Sequence, residues 1–367
     1  MKKIYFVCKW NKEKEKTWSG TSFALYSELK KYFEVCDIEV KERVFDKIRR
    51  YINGKLNWKC FREDFQIKLI NQTSKRFRDV LNNSENTTFQ FFETANNGSR
   101  NFIYQDLSVA NILDLYENEK NIYKLTEFSN FSIQDIRTRL EMQKKFYNSC
   151  SGVFTMGEWL AEYLVKNNFV EENKVHAVGG GINIDKKEYH PLEKTRNKIL
   201  FVGRNFERKG GCLVVEAFKK LRKEVIPDAE LFIAGPTKNI WGDIEGVNFL
   251  GDLSRTELVK YYNTCDIFVM PSYFEAYGLV FGEALCFGLP CIARNKYAMP
   301  EFIKDGENGY LIDSDSYEEL CEKMKLLLQN DTIFDNVKKE RKNYIEKYSW
   351  ENVVSKIYKY MEVVDAN

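Results

Sequence analysis

Two glutamates, Glu275 and Glu283, stand eight residues apart with Gly278 between them in the stretch M-P-S-Y-F-E-A-Y-G-L-V-F-G-E-A-L-C-F-G-L-P-C-I-A from Met270 to Ala293. A carboxylate is an acceptor for hydroxyl groups. A helix starting between the two glutamates offers free backbone N–H groups from about Ala276 to Leu279, through Tyr277 and Gly278, and an anion is their natural partner. A carboxylate beside an anion site is contradictory unless one ligand carries both phosphate and hydroxyls. A sugar nucleotide carries both. The plainer alternative is a pair of solvent-facing glutamates flanking an ordinary helix.

The elements around the pair follow from the apolar pattern. Asp266 to Met270 reads as a buried parallel strand that Pro271-Ser272 ends. From about Tyr277 the pattern turns helical, with Leu279, Phe281 and Leu285 among small residues, until Gly288-Leu289-Pro290 stops it. Cys291 to Ala293 opens another strand. Glu275 thus falls in a loop at the carboxyl end of a strand, where open α/β sheets bind ligands, and Glu283 lies two turns into the helix, able to face the same crevice.

The run P-S-x-x-E-x-x-G-L-x-x-x-E-A-x-x-x-G-x-P closely resembles the signature of retaining glycosyltransferases of family 4, which have the two-domain GT-B fold. The resemblance implies that Glu275 holds hydroxyls of the donor sugar and Glu283 the ribose of the nucleotide. F-V-G-R-N-F-E-R-K-G-G resembles the family's second signature, an arginine just after a strand and a lysine five residues on. It implies that Arg204 and Lys209 contact the donor diphosphate, whose charge grows as the glycosidic bond breaks; fixed cations stabilise that change more than the ground state. Arg208 is a nearby alternative but is expected to face solvent. With two cations and a helix terminus at hand, no metal or other cofactor is required, and no D-x-D stands in the expected place. Pro300-Glu301 and Asp305-Gly306 through Gly309 also resemble the family, but Tyr297-Ala298 stand where it has a glycine pair.

The amino-terminal half is less explicit. Ile4 to Val7 reads as a first strand, followed by T-W-S-G-T-S-F-A-L-Y, in which Ser19 or Thr21 can cap a helix. Gly20 before that helix permits close backbone approach of a ligand, and the family has a comparable glycine near the donor phosphates and acceptor; a plain turn glycine is the alternative. Phe89–Phe92 and Asn101–Tyr104 read as strands, the second leading to Gln105-Asp106. The family often places a histidine-aspartate or similar polar pair here, facing the acceptor; this chain has only His176 and His190, so Asp106 is the candidate and no general base is named. S-G-V-F-T-M-G-E-W-L and H-A-V-G-G-G-I-N resemble the segments that close the first domain and lead into the hinge. The glycines of the latter contain no full G-x-G-x-x-G, so no dinucleotide fingerprint is read. Further on, Glu230–Gly235 and Val247–Gly251 read as strands, and Ser254 with Glu257 as a capping box; the resemblance puts Phe249–Asp252 near the base.

Size and composition bound the reading. A chain of 367 residues suits two domains, and 44% hydrophobic with 15% aromatic residues describes a globular protein. A net charge of +2 makes no case for nucleic acid. Residues 41–78 nonetheless hold twelve Lys or Arg against four acids, with Tyr51, Trp58, Phe61 and Phe65 interleaved. Such a stretch suits an anionic membrane surface or an anionic acceptor, the plainer reading being a solvated face. Nine cysteines without a C-x-x-C pair fit a reducing compartment. The start M-K-K-I-Y-F-V-C is not expected to be a signal peptide, and no apolar run approaches a membrane span, so a cytoplasmic location, with peripheral membrane contact through 41–78, is expected.

The expectation is a GT-B α/β fold: two Rossmann-like domains, 1–190 for the acceptor and 191–345 for the nucleotide sugar, facing across a cleft, with 346–367 as a helix returning to the first. The resemblance implies a retaining, metal-independent hexosyltransferase acting on a glycan, lipid-linked or protein acceptor. Nothing in the residues tells uracil from guanine or adenine; a UDP-sugar is favoured over a GDP-sugar as the first choice. An inactive partner of another transferase, an epimerase and a phosphorylase are the alternatives.

Overall fold

A computed structural model describes residues 1–41, 48, 62–83, 85–95, 100–190, 195–239 and 242–366. Two compact units are present: Met1–Asn183 with Trp350–Asn367, and Ile184–Ser349. Half of the basic stretch at 41–78, namely 42–47 and 49–61, lies outside the described residues.

The first unit is built on a parallel sheet in the order β2-β1-β3-β4-β5-β6. Its elements are β1 (Lys3–Cys8), α1 (Thr21–Leu29), β2 (Glu34–Glu39), α2 (Arg62–Arg76), β3 (Thr87–Phe91), β4 (Arg100–Gln105), α3 (Val109–Asn118), α4 (Ile133–Ser149), β5 (Gly152–Thr155), α5 (Glu158–Lys166) and β6 (Val175–Ala177). Every residue of β3 is buried, as expected of a strand covered on both faces. Phe6, Phe89, Phe154 and Phe102 stack in sequence across the sheet with ring centroids 5.9 to 6.0 Å apart, a large apolar area removed from water. The final helix of the chain belongs to this unit: Tyr358 packs on Tyr32 and Phe33, and Tyr360 on Phe102, Phe154 and His176.

The second unit repeats the plan with the order β12-β11-β10-β7-β8-β9, again parallel. It comprises β7 (Lys198–Val202), α6 (Gly211–Glu224), β8 (Glu230–Ala234), β9 (Val247–Gly251), α7 (Arg255–Thr264), β10 (Ile267–Val269), α8 (Leu279–Cys286), β11 (Cys291–Arg294), β12 (Gly309–Ile312), α9 (Tyr317–Leu328) and α10 (Asp331–Lys347). The capping box of α7 forms in full: Ser254 Oγ accepts from the Glu257 amide and Glu257 accepts from the Ser254 amide. The winding reverses between β7 and β10, which are hydrogen-bonded neighbours although two strands separate them in sequence. That junction is the topological switch point, and the loops leaving its two strands carry the residues considered next.

One expected cap is corrected. The residue before α1 is Gly20, at φ +84°, and no side chain caps the helix. Trp18 and Ser19 precede it at φ +51° and +53°, so the chain enters α1 through a left-handed turn rather than from an extended serine or threonine.

Candidate active site

The loop after β7 and the loop after β10 meet side chain to side chain. Lys209 Nζ donates to Glu275 Oε2 at 2.9 Å and lies 3.5 Å from Met270 Sδ. Ser272 Oγ donates to the same carboxylate oxygen at 3.3 Å, and the Arg208 guanidinium stands 3.8 Å from it. Three neighbours thus converge on one oxygen of Glu275. Burial by itself pushes this carboxyl up, but the charges of Lys209 and Arg208 and the hydrogen bonds from Lys209 and Ser272 outweigh it and hold the group below its ordinary value. Glu275 is therefore a fixed anion at neutral pH, partly exposed and ready to accept hydroxyls.

Two glycines make this meeting possible. A Cβ on Gly203, the first residue past β7, would lie 2.4 Å from Lys209 Cδ, so the lysine stem crosses directly over that position. Gly278 takes φ +96° as the residue before α8, and a Cβ there would press on Glu275 Cγ and the Phe281 ring. Helix α8 begins at Leu279, slightly later than the pattern implies, so the N–H groups of Leu279 and Val280 are the first-turn donors without an intrahelical acceptor. Ala276 and Tyr277 belong to the loop that leads there.

Glu283 sits on α8 itself, in its second turn. Tyr262, at the end of α7, donates to its Oε2 at 2.9 Å. Burial raises this carboxyl above its usual value, and the Tyr262 hydrogen bond and the charges of Arg255 and Lys209 offset only part of the rise. Tyr262 itself is fully buried and pushed well above the ordinary phenol range by that burial and by the Glu283 charge, so the phenol keeps its proton and is the donor.

The two arginines exchange the places expected of them. Arg208, expected to face solvent, is only 19% exposed, beside Glu275, and its guanidinium also donates to the Phe274 carbonyl. The physical reason is a backbone tie: the Tyr273 amide donates to the Arg208 carbonyl, joining the two loops at that residue. Arg204 is 75% exposed and pairs with Asp252 at 3.0 Å, just past β9. Tyr262 is the site residue that sequence reading missed, and Arg208 is one it offered only as an alternative expected to face solvent. No spacing signal marks either one, since Arg208 depends on the loop tie and Tyr262 reads as one more apolar position of an amphipathic helix.

Tyr297, where a glycine pair is expected, adopts φ +55°, and its ring packs edge-on against Phe274 at 4.9 Å. A left-handed backbone at a tyrosine is uncommon. Gly20 and Asp106 both belong to the first unit, Asp106 directly after β4. Among the described residues no group of three or more His, Cys, Asp or Glu is arranged to hold a metal ion, and no helix is long and apolar enough to cross a membrane.

Residues 183–349 match the family model described as glycosyl transferases group 1, a span that coincides almost to the residue with the second unit. An uncharacterized glycosyltransferase of Methanocaldococcus jannaschii is 27% identical over 202 residues, covering 54% of this chain and 57% of its own length. The chain spans about half the length of the curated relatives it matches first. Among solved structures, sucrose-phosphate synthase of Thermosynechococcus elongatus aligns over 100% of both chains with a TM-score of 0.70 at 15% identity. Anabaena HepE, solved in complex with UDP and glucose, aligns over 99% of this chain and 100% of its own, with a TM-score of 0.63 at 14% identity. The second unit therefore carries the match to glycosyl transferases group 1, on a chain whose fold is GT-B.

Proposed function

We propose that the protein is a retaining, metal-independent glycosyltransferase that moves a hexosyl unit from a nucleoside-diphosphate sugar, UDP-sugar first, to a glycan, lipid-linked or protein acceptor. The observation that carries this reading is the convergence of Lys209, Arg208 and Ser272 on one oxygen of Glu275 at the switch point, beside the start of α8. A carboxylate held through one oxygen keeps its other oxygen for sugar hydroxyls. Lys209, the helix start and Arg204 supply positive potential for a diphosphate. On this reading Glu283 takes the ribose hydroxyls, as the family resemblance implies.

The chemistry follows from where charge develops. As the bond from the anomeric carbon to the diphosphate oxygen lengthens, the diphosphate gains negative charge, which fixed cations and N–H dipoles stabilise without reorganising. Glu275, ionised and tied, is positioned to orient the sugar rather than to form a covalent bond. The hydroxyl of the acceptor then attacks the face the diphosphate leaves, and its proton passes to a phosphate oxygen; retention follows from that geometry. Asp106 and Gly20 stay as proposed residues for acceptor and donor handling, and the basic stretch 41–78 as a proposed anionic-surface contact.

Calorimetric titration with UDP, GDP and ADP, with and without a chelator, tests the donor assignment. One nucleotide binding in the micromolar range regardless of chelation, and weakened by Arg204→Ala and Lys209→Ala, is the expected result. No binding by any of the three overturns it. Binding without any sugar transfer or hydrolysis places the chain instead as an inactive partner of another transferase.

A further inference from the structure

The sugar-nucleotide reading leaves Tyr262 without a task, although among the described residues it makes the one side-chain hydrogen bond to Glu283. A buried phenol needs an acceptor, and here the acceptor is a side chain of another helix rather than a backbone carbonyl. The phenol is placed against a carboxyl that burial is already pushing toward its neutral form. Its ring is locked by stacking on Phe287, with centroids 5.3 Å apart and planes within 24°, so the hydroxyl has little freedom to leave. Tyr262 is completely buried, whereas Glu283 keeps part of its surface in solvent. The carboxyl is thus held from the protein side through Oε2 and stays approachable from the other.

We propose that Tyr262 is a positioning residue for the nucleoside end of the donor site: its hydroxyl pins Oε2 of Glu283, orienting the other oxygen to accept from the vicinal hydroxyls of a ribose. This rests on the reading of Glu283 given above. The other groups that face Glu283 are Arg255, on the same helix as Tyr262, and Lys209, from the loop after β7; both act on it by charge. Cys291 of β11 faces Tyr262, and burial keeps its thiol protonated. Among the described residues only Tyr262 donates a short hydrogen bond to Glu283, and that bond fixes the orientation of the carboxyl.

The test is made on the full chain with Tyr262→Phe, which keeps the ring and its stacking on Phe287. In protein labelled with carboxyl-¹³C glutamate, with the Glu283 signal assigned by Glu283→Gln, the carboxyl is expected to titrate at higher pH in Tyr262→Phe than in the wild type. Equal midpoints overturn the proposal. UDP and 2′-deoxy-UDP are then titrated into both proteins. The wild type is expected to prefer UDP, and Tyr262→Phe to lose roughly tenfold of that preference while binding 2′-deoxy-UDP as before. In the Glu283→Ala background, which removes the acceptor of the Tyr262 hydroxyl, the same substitution is expected to change neither affinity. Equal weakening of both nucleotides makes Tyr262 a packing residue and sinks the proposal alone. A wild type that treats the two nucleotides alike removes the ribose role of Glu283, and Tyr262 loses its assigned task with it.

Discussion

Glu275 and Glu283 lie on one strand-loop-helix passage, yet their surroundings drive their acidities in opposite directions. Both are opposed by burial. Glu275 has two cations and two hydrogen bonds against that cost and ends below the ordinary value; Glu283 has one phenol and more distant charges and ends above it. The difference separates two tasks that a single residue type can perform. A tied, ionised carboxylate is a rigid acceptor, whereas a carboxyl that burial pushes toward its acid form is a group whose strength its neighbours set. The contrast comes from position: Glu275 is on a loop that a second loop meets with cations, and Glu283 is inside a helix that meets another helix with an aromatic ring.

The largest way to break the comparison is Lys209→Ala. Donor turnover is expected to fall by about 100-fold or more, the loss typical of removing one fixed charge-stabilising donor, and the Glu275 carboxyl should titrate higher. Turnover kinetics and carboxyl NMR check this; an unmoved Glu275 would transfer the role to Arg208. Next, Glu283→Gln is expected to weaken UDP binding by roughly tenfold while leaving hydrolysis of bound donor comparatively intact, a KM effect rather than a kcat effect.

Acid-dependent stability sharpens the contrast, and its two signs are opposite. Glu275 has a depressed value in the folded protein, so its contribution is present above the ordinary 4.5 and is lost as pH falls through the depressed value. Glu283 has a raised value, so its ionised form costs stability above that raised value, and the cost fades as pH falls through it toward 4.5. Urea midpoints should therefore show Glu275→Gln less stable than wild type at neutral pH and Glu283→Gln more stable, both differences shrinking in acid. The same sign for both variants would refute the comparison. The smallest expected change in stability is that of Arg204→Ala, under about 0.5 kcal/mol by urea denaturation, because an exposed ion pair such as Arg204–Asp252 contributes little. Its effect should fall on UDP affinity and spare uridine.

How far the chain could be read in advance depended on which forces act locally. Lys198–Val202 is a strand because its apolar run, buried from Ile199 to Phe201, has a local signature, and Val247–Gly251 is the strand expected although it lies at the sheet edge and is only half-buried throughout. The capping box at Ser254 was legible for the same local reason. Arg208 was not, since its side chain is placed by a hydrogen bond from Tyr273, a residue 65 positions along the chain, and no window of sequence contains both. The Ser19 or Thr21 cap failed because successive left-handed residues at Trp18, Ser19 and Gly20 replaced the extended backbone that a capping side chain needs. Glu275 and Glu283 were recognisable as a pair from the motif around them rather than from their spacing, but their unlike environments were not, because those environments are made by Lys209 and Tyr262 from other elements.

Gly203 has a consequence for how this chain tolerates change. It does not need a left-handed backbone; what the position supplies is empty volume, through which the Lys209 stem runs 2.4 Å from where a Cβ would stand. Every single-nucleotide missense change of a glycine codon introduces at least that one carbon. In a saturation library scored separately for abundance and for sugar transfer, position 203 should therefore fall in the class that accumulates in cells but does no work, since even alanine displaces the lysine while leaving the buried strand β7 beside it unchanged.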